Sequence, residues 1–225
     1  MGMLPIMAGF LGLIVVGIYF MSKGIGNVSP NKKQIQKDLK KLKKDMDTWI
    51  EDLVPITKDD LELFSLNQLK QTVKKNVAYT AKGIYTTIFN EPIVAYSYKK
   101  YAARKKKLDA LLYARTANHE YAYRMKDDSI QIVIDNRLIG SVNDRGELVS
   151  ASNRKKIAQL SVASDNTPIH IGNREVANVV HQLPPSSKKD LNQRAFEFVT
   201  NDLNKEEENL LLSLATLELV QRSIK

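Results

Sequence analysis

The stretch NLLLSLATLELV (Asn209–Val220) is apolar around nearly its whole circumference when wound as an α-helix. Leu210, Leu211, Leu212, Leu214, Ala215, Leu217, Leu219 and Val220 leave no polar stripe for solvent. Its apolar part covers roughly 18 Å at 1.5 Å per residue, too short to cross a bilayer. Glu218 inside it would also be costly in hydrocarbon. A helix that is apolar on every side and too short for a membrane belongs inside protein. Asn204 and Glu207 form a capping box, and Glu206 to Glu208 suit a helix N-terminus, which predicts a helix over 204–223. A surrounding β-barrel would hide all of its faces.

The preceding sequence supplies the strands. VAYTAKGIYTTIF (from Val77) and IVAYSYKKYA (from Ile93) are rich in Tyr, Ile, Val and Thr and are separated by NEP at Asn90–Pro92. The second could also be helical. Short strands are then predicted at Leu111–Thr116, Glu120–Lys126, Ile130–Asp135, Leu138–Asn143, Glu147–Ser150, Ile157–Ala163, Pro168–Ile171, Glu175–His181 and Ala195–Val199. The breaks carry turn residues: DN at Asp135, DRG at Asp144, SDN at Ser164 and GN at Gly172. LPPSSKKDLNQ (Leu183–Gln193) reads as an exposed loop. Serial hairpins of this kind predict an antiparallel β-meander closing into a barrel or a sandwich.

LLYARTANHEYAYRMK, the hairpin ladder to His181 and FEFVTNDLNKEEENLLLSLATLELV together resemble the tubby C-terminal-like superfamily, which includes the phospholipid scramblases and LURP-one-related proteins. The resemblance spans about residues 77–225 and concerns the order of elements. It implies a barrel around a hydrophobic helix and binding of membranes or phosphoinositides, with lipid movement as the scramblase-like variant. An aspartate-rich calcium segment of the scramblase kind is missing from the sequence.

Towards the N-terminus, Met3–Met21 holds nineteen residues without a charge, about 28 Å as a helix, and Tyr19 stands near its end. A cleaved signal peptide would want a basic residue before the run and a small-residue cleavage site after it, and neither is present. The expectation is a transmembrane anchor over residues 1–22. Lys23, Lys32, Lys33, Lys37, Lys40, Lys41, Lys43 and Lys44 all follow it, which places the C-terminal side in the cytoplasm by the positive-inside rule. Ala8 and Gly12 form a small-xxx-small pair.

A basic amphipathic juxtamembrane stalk is expected over 23–56. Ser29 and Pro30 suit a helix start, and Pro55 ends it. Ile35, Leu39, Leu42, Met46, Trp49, Ile50 and Leu53 recur at three- and four-residue spacing. This stripe fits a helix packed on the next domain, one lying on anionic lipid, or a homodimeric coiled coil through helix 31–54. Thr57 and Asp60 predict a capping box for a short helix around Leu61–Leu69, within a connector over 57–76. The fold class expected is therefore a transmembrane helix and amphipathic helical stalk, then α+β, with the meander or barrel over 77–225.

Net charge is +9, and all of the excess lies in residues 1–107, which hold 19 Lys/Arg against 9 Asp/Glu. Such polarity points to an anionic partner, a membrane or nucleic acid. The candidate anionic-surface residues are Lys32, Lys33, Lys37, Lys40, Lys41, Lys43, Lys44, Lys99, Lys100, Arg104, Lys105, Lys106 and Lys107. For KKYAARKKK (Lys99–Lys107) the alternative is a solvated loop. Tyr79, Tyr85, Tyr96, Tyr98 and Tyr101 either pack in the sheet or, with Lys82, Lys99 and Lys100, form an aromatic-basic surface.

Signs of catalysis are lacking. The sequence holds no cysteine and no Walker, G-x-G-x-x-G or G-x-S-x-G motif. His119, His170 and His181 lack metal-ligand spacing and read as surface or packed imidazoles, while His119 and Glu120 point to opposite strand faces. No catalytic residue, metal or cofactor is assigned. The expectation is a single-pass cell-membrane protein, not an enzyme. Its cytosolic β-domain would bind anionic lipid headgroups or a protein partner; the rival reading is a membrane-tethered nucleic-acid binder.

Overall fold

The computed structural model describes residues 30–75, 79–101, 108–161, 163, 165–181 and 193–224. Twelve strands pair antiparallel in chain order: β1 (Phe64–Lys75), β2 (Tyr79–Thr87), β3 (Pro92–Lys100), β4 (Asp109–Arg115), β5 (Glu120–Lys126), β6 (Ser129–Ile134), β7 (Arg137–Val142), β8 (Glu147–Ser150), β9 (Lys156–Leu160), β10 (Asn166–Ile171), β11 (Arg174–Val180) and β12 (Phe196–Val199). The chain just before β12 returns to β1. Ala195 N donates to Phe64 O at 2.6 Å, and Leu66 N donates to Gln193 O at 2.9 Å. These bonds, with the bridge between Ser65 and Arg194, make the sheet a nearly closed barrel.

The barrel is filled by α2 (Lys205–Ser223), in which every residue from Leu210 to Val220 is buried. Leu211, Leu214 and Leu217 share one core with inward residues from across the barrel, among them Tyr96, Leu112, Tyr123, Ile132, Leu148, Ile169 and Val176. Each buried leucine contributes about 1.5–3 kcal/mol by leaving water. The capping box forms as expected: the Asn204 side chain accepts from Glu206 N and Glu207 N, and Asn204 N donates to Glu207 Oε2 at 3.0 Å. Some polar groups inside the barrel are paired, whereas Thr216 Oγ1 on the inner helix is buried without a hydrogen-bond partner among the described residues. Tyr123 OH donates to Ser213 O at 2.8 Å, and Glu218 accepts from Thr167 Oγ1 at 3.0 Å and from Arg222 Nε.

A second core lies outside the barrel. Asn31 caps α1 (Lys32–Lys44), its side chain accepting from Gln34 N at 2.9 Å, and a 3-10 turn follows at Asp47–Asp52. Ile35, Leu39, Leu42, Met46, Trp49 and Leu53 pack on Ile84, Ala95, Leu111, Tyr113, Ala122 and Val133, the outward residues of β2 to β6. Strands β3 and β4 are thus covered on both faces, which is why they read as unbroken apolar runs. Lys43 Nζ meets Glu120 on β5 at 2.7 Å, and Lys99 Nζ meets Asp38 on α1 at 2.7 Å.

Several expectations change. The N-cap is Asn31, one residue past Pro30, and the helix gives way to 3-10 geometry after Lys44; Ile50 is only half-buried. The apolar stripe is spent on the barrel wall, so a homodimer seam through helix 31–54 would first have to strip α1 from its own sheet. In place of the helix expected around Leu61–Leu69 stands a short 3-10 helix, Lys58–Leu63, leading into β1. The Thr57–Asp60 box does form, with Thr57 N donating to Asp60 Oδ2 at 3.1 Å, but pairing with β2 overrides the helical preference of the Leu, Gln and Lys that follow. The β-domain therefore begins at Phe64, ahead of 77. The anchor expected over Met3–Met21 lies outside the described residues. Among the described residues no helix is long and apolar enough to cross a membrane.

Candidate functional site: a lysine-lined cleft beside helix α1

Helix α1 has three differently used faces. One is apolar and buried. The face opposite carries Lys33, Lys37, Lys40 and Lys44, spaced so that they line up along the exposed side. Lys32 and Lys41 are also exposed, whereas Lys43 turns inward to Glu120, with its ammonium 6.0 Å from the Tyr113 ring centroid. Lys43 thus fastens the helix and stands apart from the anionic-surface set. Lys100 is exposed at the end of β3, and Arg104, Lys105, Lys106 and Lys107 lie outside the described residues.

The third face of α1 walls a cleft of about 310 Å³ over the outer surface of β1, β2 and β3. Its polar side chains come from four neighbouring elements: Asp38 and Lys41 from α1 with Asp45 at its C-cap, Thr72 and Lys74 from β1, Thr80 and Lys82 from β2, Ser97 and Lys99 from β3. Register sets their order. Thr72, Lys82 and Ser97 form one cross-strand rung, and Lys74, Thr80 and Lys99 form the next. Side chains two residues apart share a face, so both rungs point outward into the cleft.

The two carboxylates are not equivalent. Asp38 is almost fully buried and accepts from Lys99 Nζ at 2.7 Å and Tyr101 OH at 2.8 Å. Burial pushes its carboxyl up, but the hydrogen bonds from Lys99, Gln34 and Tyr101 outweigh this and hold it below the ordinary range. Burial, then the Asp38 carboxylate, push the Tyr101 phenol well up, so it stays a donor. Among the described residues the Asp45 side chain makes only a long 3.4 Å contact, accepting from Ser97 Oγ. Among the described residues no carboxylate lies within 4.0 Å of Lys41, Lys74 or Lys82. The Lys82 ammonium instead sits 5.3 Å from the ring centroid of Trp49.

Sequence reasoning placed Lys41 and Lys99 among the binding residues, and the structure brings them together here. It missed Lys74 and, as a site residue, Lys82. Their only signal is cross-strand register, invisible while residues 61–69 read as helix. The tyrosines are mostly packing groups: Tyr85, Tyr96 and Tyr98 are buried inside the barrel, and burial pushes Tyr98 up to about 12.

Other titratable groups offer little chemistry. Among the described residues no group of three metal-ligating side chains converges. His119 Nδ1 lies 2.6 Å from Asp135 Oδ2 at a turn. The pair Thr167 Oγ1–His181 Nε2, at 2.8 Å, has the look of a nucleophile and base. But Thr167 is fully buried, and Glu218 approaches the same imidazole nitrogen, at 3.8 Å, where an orienting carboxylate would take Nδ1. It is a packed polar cluster beside the inner helix.

No family model, curated protein or solved structure matches the chain.

Proposed function

We propose that this is a single-pass, membrane-anchored protein whose barrel sits on the cytoplasmic side and binds anionic lipid headgroups, with no catalysis of its own. The observation that carries the reading is the exposed lysine row Lys33, Lys37, Lys40 and Lys44, on a helix whose opposite face is fixed to the barrel. A mobile stalk would have to be ordered on binding; a docked helix presents its charges already aligned. Each lysine held near an anionic leaflet contributes about 1 kcal/mol. The row also follows closely on the apolar run Met3–Met21, which as an anchor would hold it against the bilayer. A meander closed around a hydrophobic helix is in addition the architecture that the tubby-like resemblance implies, together with membrane or phosphoinositide binding.

Flotation of residues 30–225 tests this. The expected result is recovery with vesicles containing phosphatidylserine, none with phosphatidylcholine alone, and a loss of binding as salt rises. Equal recovery with both vesicles would sink the lipid reading. Displacement from vesicles by single-stranded nucleic acid at low concentration would favour the tethered nucleic-acid binder instead.

A further inference from the structure

Beyond the lysine row, we infer that the cleft between α1 and strands β1 to β3 is a binding site for a phosphomonoester group. Four lysines line it against two aspartates, which leaves two positive charges in excess. A phosphomonoester carries about −1.5 to −2 at neutral pH and offers three acceptor oxygens; a carboxylate or a phosphodiester brings a single charge. The three strand lysines stand at the corners of a triangle. With strands about 4.8 Å apart and side chains on one face about 6.6 Å apart, its sides are roughly 8–10 Å. Thr80 stands between Lys74 and Lys99 on one rung, and Thr72 and Ser97 flank Lys82 on the other. Hydroxyls interleaved with ammoniums are the donors that phosphate oxygens take.

Two simpler accounts of these lysines fall short. Lysine on a seam strand deters pairing with another chain, and this would explain Lys74 on β1. It does not explain Lys82, because β2 is flanked on both sides. Pairing with an acid accounts for Lys99, which meets Asp38, but not for Lys41, Lys74 and Lys82. Asp38 is occupied by Lys99 and Tyr101, and Lys41, Lys74 and Lys82 have no carboxylate within 4.0 Å among the described residues. Asp38 acts as a positioning residue that holds Lys99 at the cleft wall. The volume, about 310 Å³, suits a headgroup or a small phosphorylated metabolite.

The protein holds its own reporter. Trp49 is its only tryptophan, and Lys82 lies over its ring, so a ligand that draws the ammonium away changes its emission. The experiment titrates the full chain, in a zwitterionic detergent at constant ionic strength, with glycerol 3-phosphate and with dimethyl phosphate. Trp49 emission and calorimetry are followed in parallel. The monoester should saturate at least tenfold more tightly than the diester. Lys41→Gln/Lys74→Gln, which leaves Lys82 above Trp49, should weaken the monoester tenfold or more without changing the melting temperature. The quadruple change of Lys33, Lys37, Lys40 and Lys44 to Gln should leave it unaltered, even if that variant no longer binds vesicles. Equal responses to monoester and diester, no saturable binding by either method, or equal weakening by both variants would overturn the assignment. Phosphatidic acid and phosphatidylglycerol in mixed micelles then identify the source. Competition by the first alone assigns a lipid monoester; competition by neither assigns a soluble one.

Discussion

Asp38 on α1 and Lys99 on β3 meet at 2.7 Å across a helix–sheet boundary, with the carboxylate buried and the ammonium reaching the cleft edge. The contact therefore fastens the outer helix and orients one of the cleft lysines. Asp38→Asn should cost about 1–3 kcal/mol, the range for losing a charged hydrogen bond. Lys99 retains a route to water, which spares the full cost of an abandoned buried charge. Denaturant unfolding of the variant checks the value.

The same carboxylate gives the helix an acid-sensitive fastening. Its folded pKa is depressed below the usual 3.8, so its stabilising contribution is complete above that value and is lost as the pH falls through the folded pKa. Acid titration followed by Trp49 emission should show a step below pH 4 in the parent chain. That step should be missing in Asp38→Asn.

Leu214 and Leu217 are completely buried on α2, so replacing either with Ala should cost about 2–5 kcal/mol. Removing residues 204–225 should leave a β-domain that aggregates, since the inward residues of the strands lose the helix they pack on. A cooperative thermal transition in the truncated chain would contradict the central role of the helix.

Charge on the exposed face of α1 is separable from stability. Changing Lys33, Lys37, Lys40 and Lys44 to Gln should weaken vesicle binding and flatten its salt dependence while the melting temperature stays within a few degrees. Changing Lys43 to Gln should do the reverse, because its partner is Glu120 on β5.

Gly140 on β7 marks a tight passage between strands. A Cβ there would run into the Val149 carbonyl oxygen of β8. Gly140→Ala should destabilise the barrel by about 1–3 kcal/mol, the range for an overpacked core, measurable by thermal unfolding.

Much of this architecture can be read from residues. The apolar circumference of Leu210–Val220 implies an enclosing sheet, and turn residues such as Asp135 and Gly172 divide the strands close to their observed ends. β1 is hidden for a physical reason. Register shifts fall between Phe64 and Gln68 and between Leu69 and Thr72, and Lys70 has φ of 51°, so period-two alternation is broken until Thr72 and leaves only a short regular run. With β1 unread, the outward rungs of Lys74 and Lys82 could not be assembled. The lysine row of α1 was legible because helical spacing is local; the cleft was not, because it exists only where four elements meet.

The inner helix is made after all twelve strands, which has a biosynthetic consequence. From Phe64 to Val220 the ribosome adds 157 residues, which takes roughly 8–30 s at ordinary elongation rates of about 5–20 residues per second. Throughout that interval the nascent meander has nothing to close upon, and its greasy interior is open to chaperones and proteases. Nonsense mutations even close to the 3′ end of the coding region should then deplete the protein from cells as completely as early ones.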